Sequence, residues 1–222
     1  MTERSLPRSS VPCVVLAFAL AAAAALSGGC SFSRPAPVKQ TFLIESAEPP
    51  AAAKPHPGTL RVRAFNVAAP FRGKSFVYRE TDLKYESDFY YEFLVAPAAM
   101  LGEGTARALD RAHVFARVVA PGAPPEGDYV MDGFVDALYG DIRRENAPAA
   151  DLAVTYYVSR ADAATPVPFW SKQYRRTIPV AAKAPEAYVA ALSLAFSEIT
   201  AELTRDLAAL ELPKPAVVRP PE

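Results

Sequence analysis

The stretch PEAYVAALSLAFSEITAELTRDLAAL, residues 185–210, decides the fold class because it carries one apolar stripe at helical spacing. A helix with such a stripe buries it against another layer of the protein. Proline at position 185 favours a helix start, and proline at position 213 favours its end. The sequence therefore predicts a C-terminal helix of about seven turns. The stripe consists of Tyr188, Leu192, Phe196, Ile199, Leu203, Leu207 and Leu210.

Segments with β-strand character precede this helix. Alternation of apolar and polar side chains, with polar loops between the segments, predicts antiparallel neighbours. A second helix is expected from Pro97 to about Ala112, since proline suits the first helical position. The predicted class is α+β, a mainly antiparallel sheet packed against two helices, the longer one C-terminal. The predicted strands are 60–66, 75–79, 83–86, 114–119, 128–139, 151–159 and 169–179.

The first 29 residues have the three parts of a secretory signal. A polar start with Arg4 and Arg8 precedes the uncharged run 11–26, and small residues lead to Cys30. The uncharged run is shorter than the ~20 residues that a transmembrane helix needs. We therefore expect residues 1–29 to be a lipoprotein signal peptide that is removed, which makes Cys30 the mature N-terminus.

The junction at Cys30 resembles the bacterial lipobox, in which a cysteine after small residues receives a diacylglycerol. Residues 28–30 fit that pattern, whereas Ser27 stands where leucine is usual. Cys13 lies in the removed segment, so acylation would protect the one thiol that remains. The resemblance implies a covalent diacylglycerol and an N-acyl lipid on Cys30, and no other cofactor. Ser31 is not the aspartate that retains some lipoproteins in the inner membrane, which implies an outer-membrane anchor facing the periplasm.

Proline divides the mature chain into a tether, a domain and a tail. The 22 prolines are unevenly spread, with six between residues 35 and 57 and four between residues 213 and 221. If residues 41–46 pair with the domain, the tether is about ten residues long and spans at most ~35 Å. We expect residues 30–40 to be the tether, residues 41–212 one domain with a Pro/Ala-rich loop at 47–58, and residues 213–222 a proline-rich tail.

Charge and histidine content argue against several function classes. Removal of residues 1–29 takes away Arg4, Arg8 and Glu3, which leaves 22 bases, 23 acids and a formal charge of −1. Such a chain has no broad electrostatic attraction to nucleic acid. Only His56 and His113 are present, which gives little basis for a metal site or a serine–histidine relay. We therefore expect no enzymatic activity, no metal and no nucleic-acid partner.

Aromatic side chains are crowded into YESDFYYEF, residues 85–93. Alternation along a strand would bury about half of them and expose the other half. Exposed tyrosine and phenylalanine are favoured at protein interfaces. The candidate partner-binding residues are Tyr78, Arg79, Tyr85, Tyr90, Tyr91 and Phe93.

Five short motifs occur in order before the two predicted helices: FLI at 42–44, LRV at 60–62, FVYR at 76–79, LKY at 83–85 and YYEF at 90–93. With these motifs, the chain from about residue 41 to residue 210 resembles the ABC-type transport auxiliary lipoproteins, the PqiC-type partners of MCE (mammalian cell entry) lipid-transport systems. Phe93 stands where that family commonly has tryptophan, and so it lacks the indole donor.

The resemblance implies a non-enzymatic auxiliary component that docks a periplasm-spanning MCE-domain protein at the outer membrane. An ABC or PqiA-like component of the inner membrane would be a further partner, and a transported lipid a further ligand. A homo-oligomeric ring around a bridging tunnel would suit this role. The alternative is an outer-membrane lipoprotein that regulates a cell-wall synthase. Such regulators need a long tether, so a free segment up to Gly58 would favour that alternative.

Overall fold

The computed structural model of the chain describes residues 38–123, 126–162, 167–182 and 184–213. The expected signal peptide at 1–29, Cys30 with the tether up to residue 37, and the tail from residue 214 lie outside the described residues. Within the described ranges, no helix combines the length and the hydropathy that a bilayer crossing requires.

The described residues form nine strands, two α-helices and one short 3-10 helix. The α+β class and both predicted helices are confirmed, and the longer helix is C-terminal. In chain order the elements are β1 (Gln40–Phe42), β2 (His56–Val62), β3 (Asn66–Val67), the 3-10 helix (Ala69–Phe71), β4 (Ser75–Arg79), β5 (Tyr85–Phe93), α1 (Pro97–Arg111), β6 (Phe115–Val119), β7 (Tyr129–Asp141), β8 (Ala149–Arg160), β9 (Pro168–Pro179) and α2 (Pro185–Ala209).

The nine strands form one sheet organised around β7. One edge of β7 pairs antiparallel with β8 along its length, and β8 pairs antiparallel with β9. The other edge of β7 pairs parallel with β2, β3 and β4 in succession. Strand β6 extends the sheet from β2, while β5 and then β1 extend it from β4. The longest pairings are antiparallel, as expected. The sheet is nevertheless mixed, because the crossover through α1 makes β7 run parallel to β4.

Two of the predicted strands differ from the structure by more than two residues. The single strand predicted at 60–66 is two strands, β2 and β3, and β2 begins earlier, at His56. The Pro/Ala-rich loop predicted at 47–58 therefore ends before His56, whose amide donates a hydrogen bond to the Val114 carbonyl (2.8 Å). The short strand predicted at 83–86 is the beginning of the longer β5.

Both helices pack on the same face of the sheet. The hydroxyl of Tyr156 in β8 lies 3.3 Å from Thr105 Oγ1 of α1. Tyr174 in β9 donates a hydrogen bond to Asp206 of α2 (2.5 Å), and its ring centroid lies 5.8 Å from that of Tyr156. Six of the seven stripe residues of α2 are buried, and Leu210 is partly buried. The stripe read from the sequence is therefore the contact between the helix layer and the sheet.

Gly104 allows α1 and α2 to approach each other closely. A Cβ atom at this position would lie 2.7 Å from Cε1 of Phe196 in α2. Because real Cβ atoms do not approach another carbon so closely, only glycine lets the two helices meet here.

Charged side chains tie the outer side of α2 to β9. Lys172 Nζ donates to Glu202 (2.9 Å) and to Asp206 (2.6 Å). The Arg176 guanidinium donates to Glu198 (2.9 Å) and to Glu202 (2.5 Å). The hydrogen bonds from Lys172 and then Arg176 hold the pKa of the Glu202 carboxyl below its usual value.

Residues 44–56, here called the N-terminal strap, are fastened to the helices. The amide of Ala47 donates to Ser197 Oγ of α2 (2.8 Å). Ser46 Oγ and Thr200 Oγ1 of α2 lie 2.7 Å apart. Further along, the amide of Ala52 donates to the carbonyl of Ala112 at the end of α1 (2.7 Å).

The strap also buries apolar side chains. Ile44 is 3% exposed, and Pro49 is buried. Amide hydrogen bonds together with these buried side chains mean that the strap is part of the folded domain.

Candidate binding site

A cavity of about 510 Å³ lies where β4 and β5 meet the start of α2. Its size falls in the range of small-molecule sites, roughly 300–1,000 Å³. The loop between β7 and β8 and the segment between β9 and α2 complete its walls. The walls are mainly apolar and aromatic, and they include Tyr78, Tyr91, Ile142, Val180, Pro185 and Tyr188.

Tyr78 and Tyr188 of the cavity are held by packing and remain uncharged. The ring centroids of Tyr78 and Tyr188 lie 5.3 Å apart. Burial raises the pKa of Tyr78 to about 12, and the nearby Asp88 and Tyr91 add to that effect. Burial likewise raises the pKa of Tyr188 far above its usual value. At neutral pH these phenols therefore contribute no charge to the cavity wall.

Gly140 of β7 sets the position of Tyr188. A Cβ atom at position 140 would overlap the hydroxyl, Cζ and Cε2 of Tyr188, so the tip of the ring occupies the space of a side chain. The Tyr188 hydroxyl is buried and has no hydrogen-bond partner among the described residues. Gly140 is not among the residues predicted from the sequence, although an isolated glycine within a strand is a known signal of close approach.

Charged side chains stand at the cavity mouth, on the loop between β7 and β8. Arg143, on this loop, forms ion pairs with Asp141 (2.6 Å) and Asp82 (2.5 Å), and these neutralise its charge. Arg144 is exposed and lines the cavity, and no acidic side chain of the described ranges forms an ion pair with it. Glu145 also lines the mouth and is engaged in an interaction of its own.

The candidate partner-binding residues do not form one surface. Tyr78 and Tyr91 line the cavity, on the face of the sheet that carries the helices. Arg79 and Tyr85 lie on the opposite face, where the guanidinium carbon is 5.6 Å from the tyrosine ring centroid. Phe93 is 3% exposed and belongs to the core. It therefore serves as a packing residue and offers no surface to a partner.

Tyr90 lies on an irregular stretch of β5, residues 88–90, here called the aromatic bulge. Asp88 Oδ1 accepts hydrogen bonds from the amides of Tyr90 (2.7 Å) and Tyr91 (3.0 Å), and the pairing of β5 with β4 shifts register nearby. Phe89 is 71% exposed and Tyr90 is 43% exposed. Since Gln40 of β1 pairs with Tyr91, the aromatic bulge lies beside the point where the tether joins the domain.

Two possible catalytic or metal-binding groups, His56 and Asp132, have structural partners. His56 has Nε2 2.8 Å from the Leu207 carbonyl oxygen, which ties β2 to the end of α2. Asp132 forms a two-point ion pair with Arg63. The described ranges hold no group of three or more His, Cys, Asp or Glu side chains arranged to bind a metal ion. The absence of an enzymatic activity remains a prediction.

Comparison with known proteins identifies the fold. No family model and no curated protein matches this chain. The chain is similar to protein XCC0632 from Xanthomonas campestris, which carries the family designation DUF330, with 19% identity, a TM-score of 0.66 and coverage of 74% of this chain and 92% of that one. It is also similar to an uncharacterized protein, with 11% identity, a TM-score of 0.59 and coverage of 77% and 99%. At these identities the similarity establishes the shared fold alone.

Proposed function

We propose that this protein is a non-enzymatic auxiliary lipoprotein of an MCE/ABC-type transport system for lipids or other hydrophobic molecules. Cys30 carries a diacylglycerol and an N-acyl lipid and anchors the domain at the periplasmic face of the outer membrane. The domain docks a periplasm-spanning MCE-domain protein, which works with an ABC or PqiA-like component of the inner membrane.

The attachment of the N-terminal strap to α1 and α2 carries this proposal. Because both β1 and the strap belong to the domain, only residues 30–39 remain as a tether to the lipid anchor. Ten residues span at most ~35 Å, so the anchor keeps the domain close to its membrane. The two or three acyl chains of a lipoprotein cysteine hold such a domain stably.

The same attachment disfavours the alternative, a regulator of a cell-wall synthase. That role requires the chain up to Gly58 to be free, so that the domain can reach across the cell wall. Freeing the strap would break its hydrogen bonds to Ser197 and Thr200 and expose the buried side chain of Ile44.

The aromatic bulge supports a docking role. Exposed aromatic side chains that lie together are favoured at protein interfaces. Among the candidate partner-binding residues, Tyr90 is placed for such a contact, and Phe89 joins it. We place the MCE-domain protein on this edge of the domain.

Cross-linking in intact cells, followed by purification from membranes and mass spectrometry, tests the function. We expect to recover an MCE-domain protein and an ABC or PqiA-like protein. Phe89→Ser with Tyr90→Ser should reduce this recovery, whereas Leu83→Ser, at a side chain that is 95% exposed in a neighbouring turn, should not. Recovery of a cell-wall synthase without any transport protein would overturn the proposal.

A substitution at Cys30 tests the anchor separately. We expect Cys30→Ser to give soluble periplasmic protein or unprocessed precursor. Retention of the processed Cys30→Ser protein in the membrane would contradict lipid attachment at this residue.

A further inference from the structure

We propose that the cavity between β4, β5 and α2 binds the alkyl chain of an anionic amphiphile, with the anionic head group held by Arg144. This inference deepens the proposed function, on which its biological meaning rests. It assigns to the domain a direct contact with a hydrophobic molecule, in addition to a contact with a protein partner.

The cavity wall suits an alkyl chain. Ile142, Val180 and Pro185 present apolar side chains to the cavity, and Tyr78 and Tyr188 present neutral rings. An apolar chain that leaves water for such a wall gains the hydrophobic free energy of burial. A polar ligand of the same size would have few hydrogen-bond partners along these walls.

The mouth of the cavity suits an anion. The Arg144 guanidinium is a planar donor that matches a carboxylate or a phosphate. Arg143 is committed to Asp141 and Asp82, so it does not compete for the same head group. No ion pair joins Arg144 to an acidic side chain within the described ranges, and Glu145, the carboxylate at the same mouth, is engaged in an interaction of its own.

Displacement of a fluorescent fatty acid, 11-dansylaminoundecanoate, from the full chain carrying Cys30→Ser tests the inference. Competitors are hexadecanoate, lysophosphatidylglycerol and the uncharged hexadecanol. We expect both anions to displace the probe at one site per chain and hexadecanol to bind at least tenfold more weakly. Stronger displacement by hexadecanoate would identify a free fatty acid as the ligand, and stronger displacement by lysophosphatidylglycerol would identify a phospholipid.

Matched variants locate the site. Ala182→Trp places a large side chain into the cavity from an exposed position, and it should weaken binding at least tenfold. The control Leu194→Trp, at a half-exposed side chain of α2, should bind like the parent protein. Arg144→Gln should weaken binding of the anions about tenfold and leave hexadecanol unchanged. Arg107→Gln, on the surface of α1, is its control.

Three results would overturn the inference. They are the absence of saturable binding by either anion, unchanged binding by the Ala182→Trp variant, and unchanged anion binding by the Arg144→Gln variant. Failure here is distinguishable from failure of the proposed function, because partner recovery from membranes is measured independently of lipid binding.

Discussion

Replacement of Gly140 by alanine should destabilise the protein, because the new methyl group has no space. The added carbon would overlap three atoms at the tip of the Tyr188 side chain. The ring cannot easily move aside, since Tyr188 is 5% exposed and its centroid lies 5.3 Å from that of Tyr78 and 6.1 Å from that of Phe76. Either this aromatic group or strand β7 must shift.

The expected loss in the free energy of unfolding follows from the overlap at Gly140. Overpacking of a well-packed core costs about 1–3 kcal/mol, and an overlap with three atoms of a confined ring belongs at the upper end, about 3 kcal/mol. In a domain of this size each kcal/mol lowers the melting temperature by roughly 2–4 °C. We therefore expect Gly140→Ala to lower the Tm by roughly 6–12 °C.

Thermal and urea unfolding, followed by circular dichroism, measure this effect. Gly73→Ala is the matched control, because no atom lies within 4 Å of a Cβ at that position. Both variants reduce the conformational freedom of the unfolded chain equally, so their difference reports the overlap alone. Tyr188→Phe removes one of the overlapping atoms, and combined with Gly140→Ala it should cost at least about 1 kcal/mol less than the sum of the single changes.

Two outcomes would refute the reasoning about Gly140. One is a Gly140→Ala protein whose free energy of unfolding lies within about 0.5 kcal/mol of that of the Gly73→Ala control. The other is strict additivity of Gly140→Ala and Tyr188→Phe, since independent effects would mean that the two side chains do not compete for the same space.

Three further predictions concern α2 and the strap. Leu203→Ala should lower the free energy of unfolding in urea by about 2–5 kcal/mol, because Leu203 is fully buried, whereas Leu194→Ala should change it by less than about 0.5 kcal/mol. Glu202→Gln should cost about 1 kcal/mol at pH 7. Because the folded pKa of Glu202 is lowered, this contribution is present above the unfolded pKa of about 4.3 and is lost as the pH falls through the folded pKa. A difference from the parent protein that stays constant down to pH 2 would contradict this assignment. Ser197→Ala should speed hydrogen exchange of the Ala47 amide about fivefold, measured by NMR or mass spectrometry, and an unchanged rate would mean that Ser197 does not hold the strap.

Local sequence patterns were sufficient to predict those helices and strands whose sequence signal lies within one contiguous segment. The stripe of residues 185–210 repeats every three or four positions, and this period by itself specifies a helix and its buried face. Pro97 and Pro185 marked the first residues of both helices, because proline suits that position and no later one. The antiparallel run from β7 to β9 was predictable as well, since short polar connections join neighbouring strands.

The candidate site was less predictable from the sequence. Alternate side chains of β4 and β5 point to opposite faces of the sheet, but the sequence does not show which of these faces packs against the core. Tyr78 and Arg79 are adjacent in sequence and lie on opposite faces of the sheet, which separates the predicted residues into two groups. Phe93, like Tyr91, is an aromatic residue of β5, but its side chain is in the core. Without the positions of the helices, the sequence could not show which face would carry the cavity.

The sequence by itself determined the fold class, the two helices and the expectation of a lipid anchor at Cys30, because each is encoded in a contiguous segment. Only the tertiary structure decided the parallel pairing of β7, the attachment of the strap and the existence of the cavity. These features depend on contacts between distant positions, such as Gly140 with Tyr188 and Ser46 with Thr200. No local period encodes such contacts, because they form only when the packed layers bring those residues together.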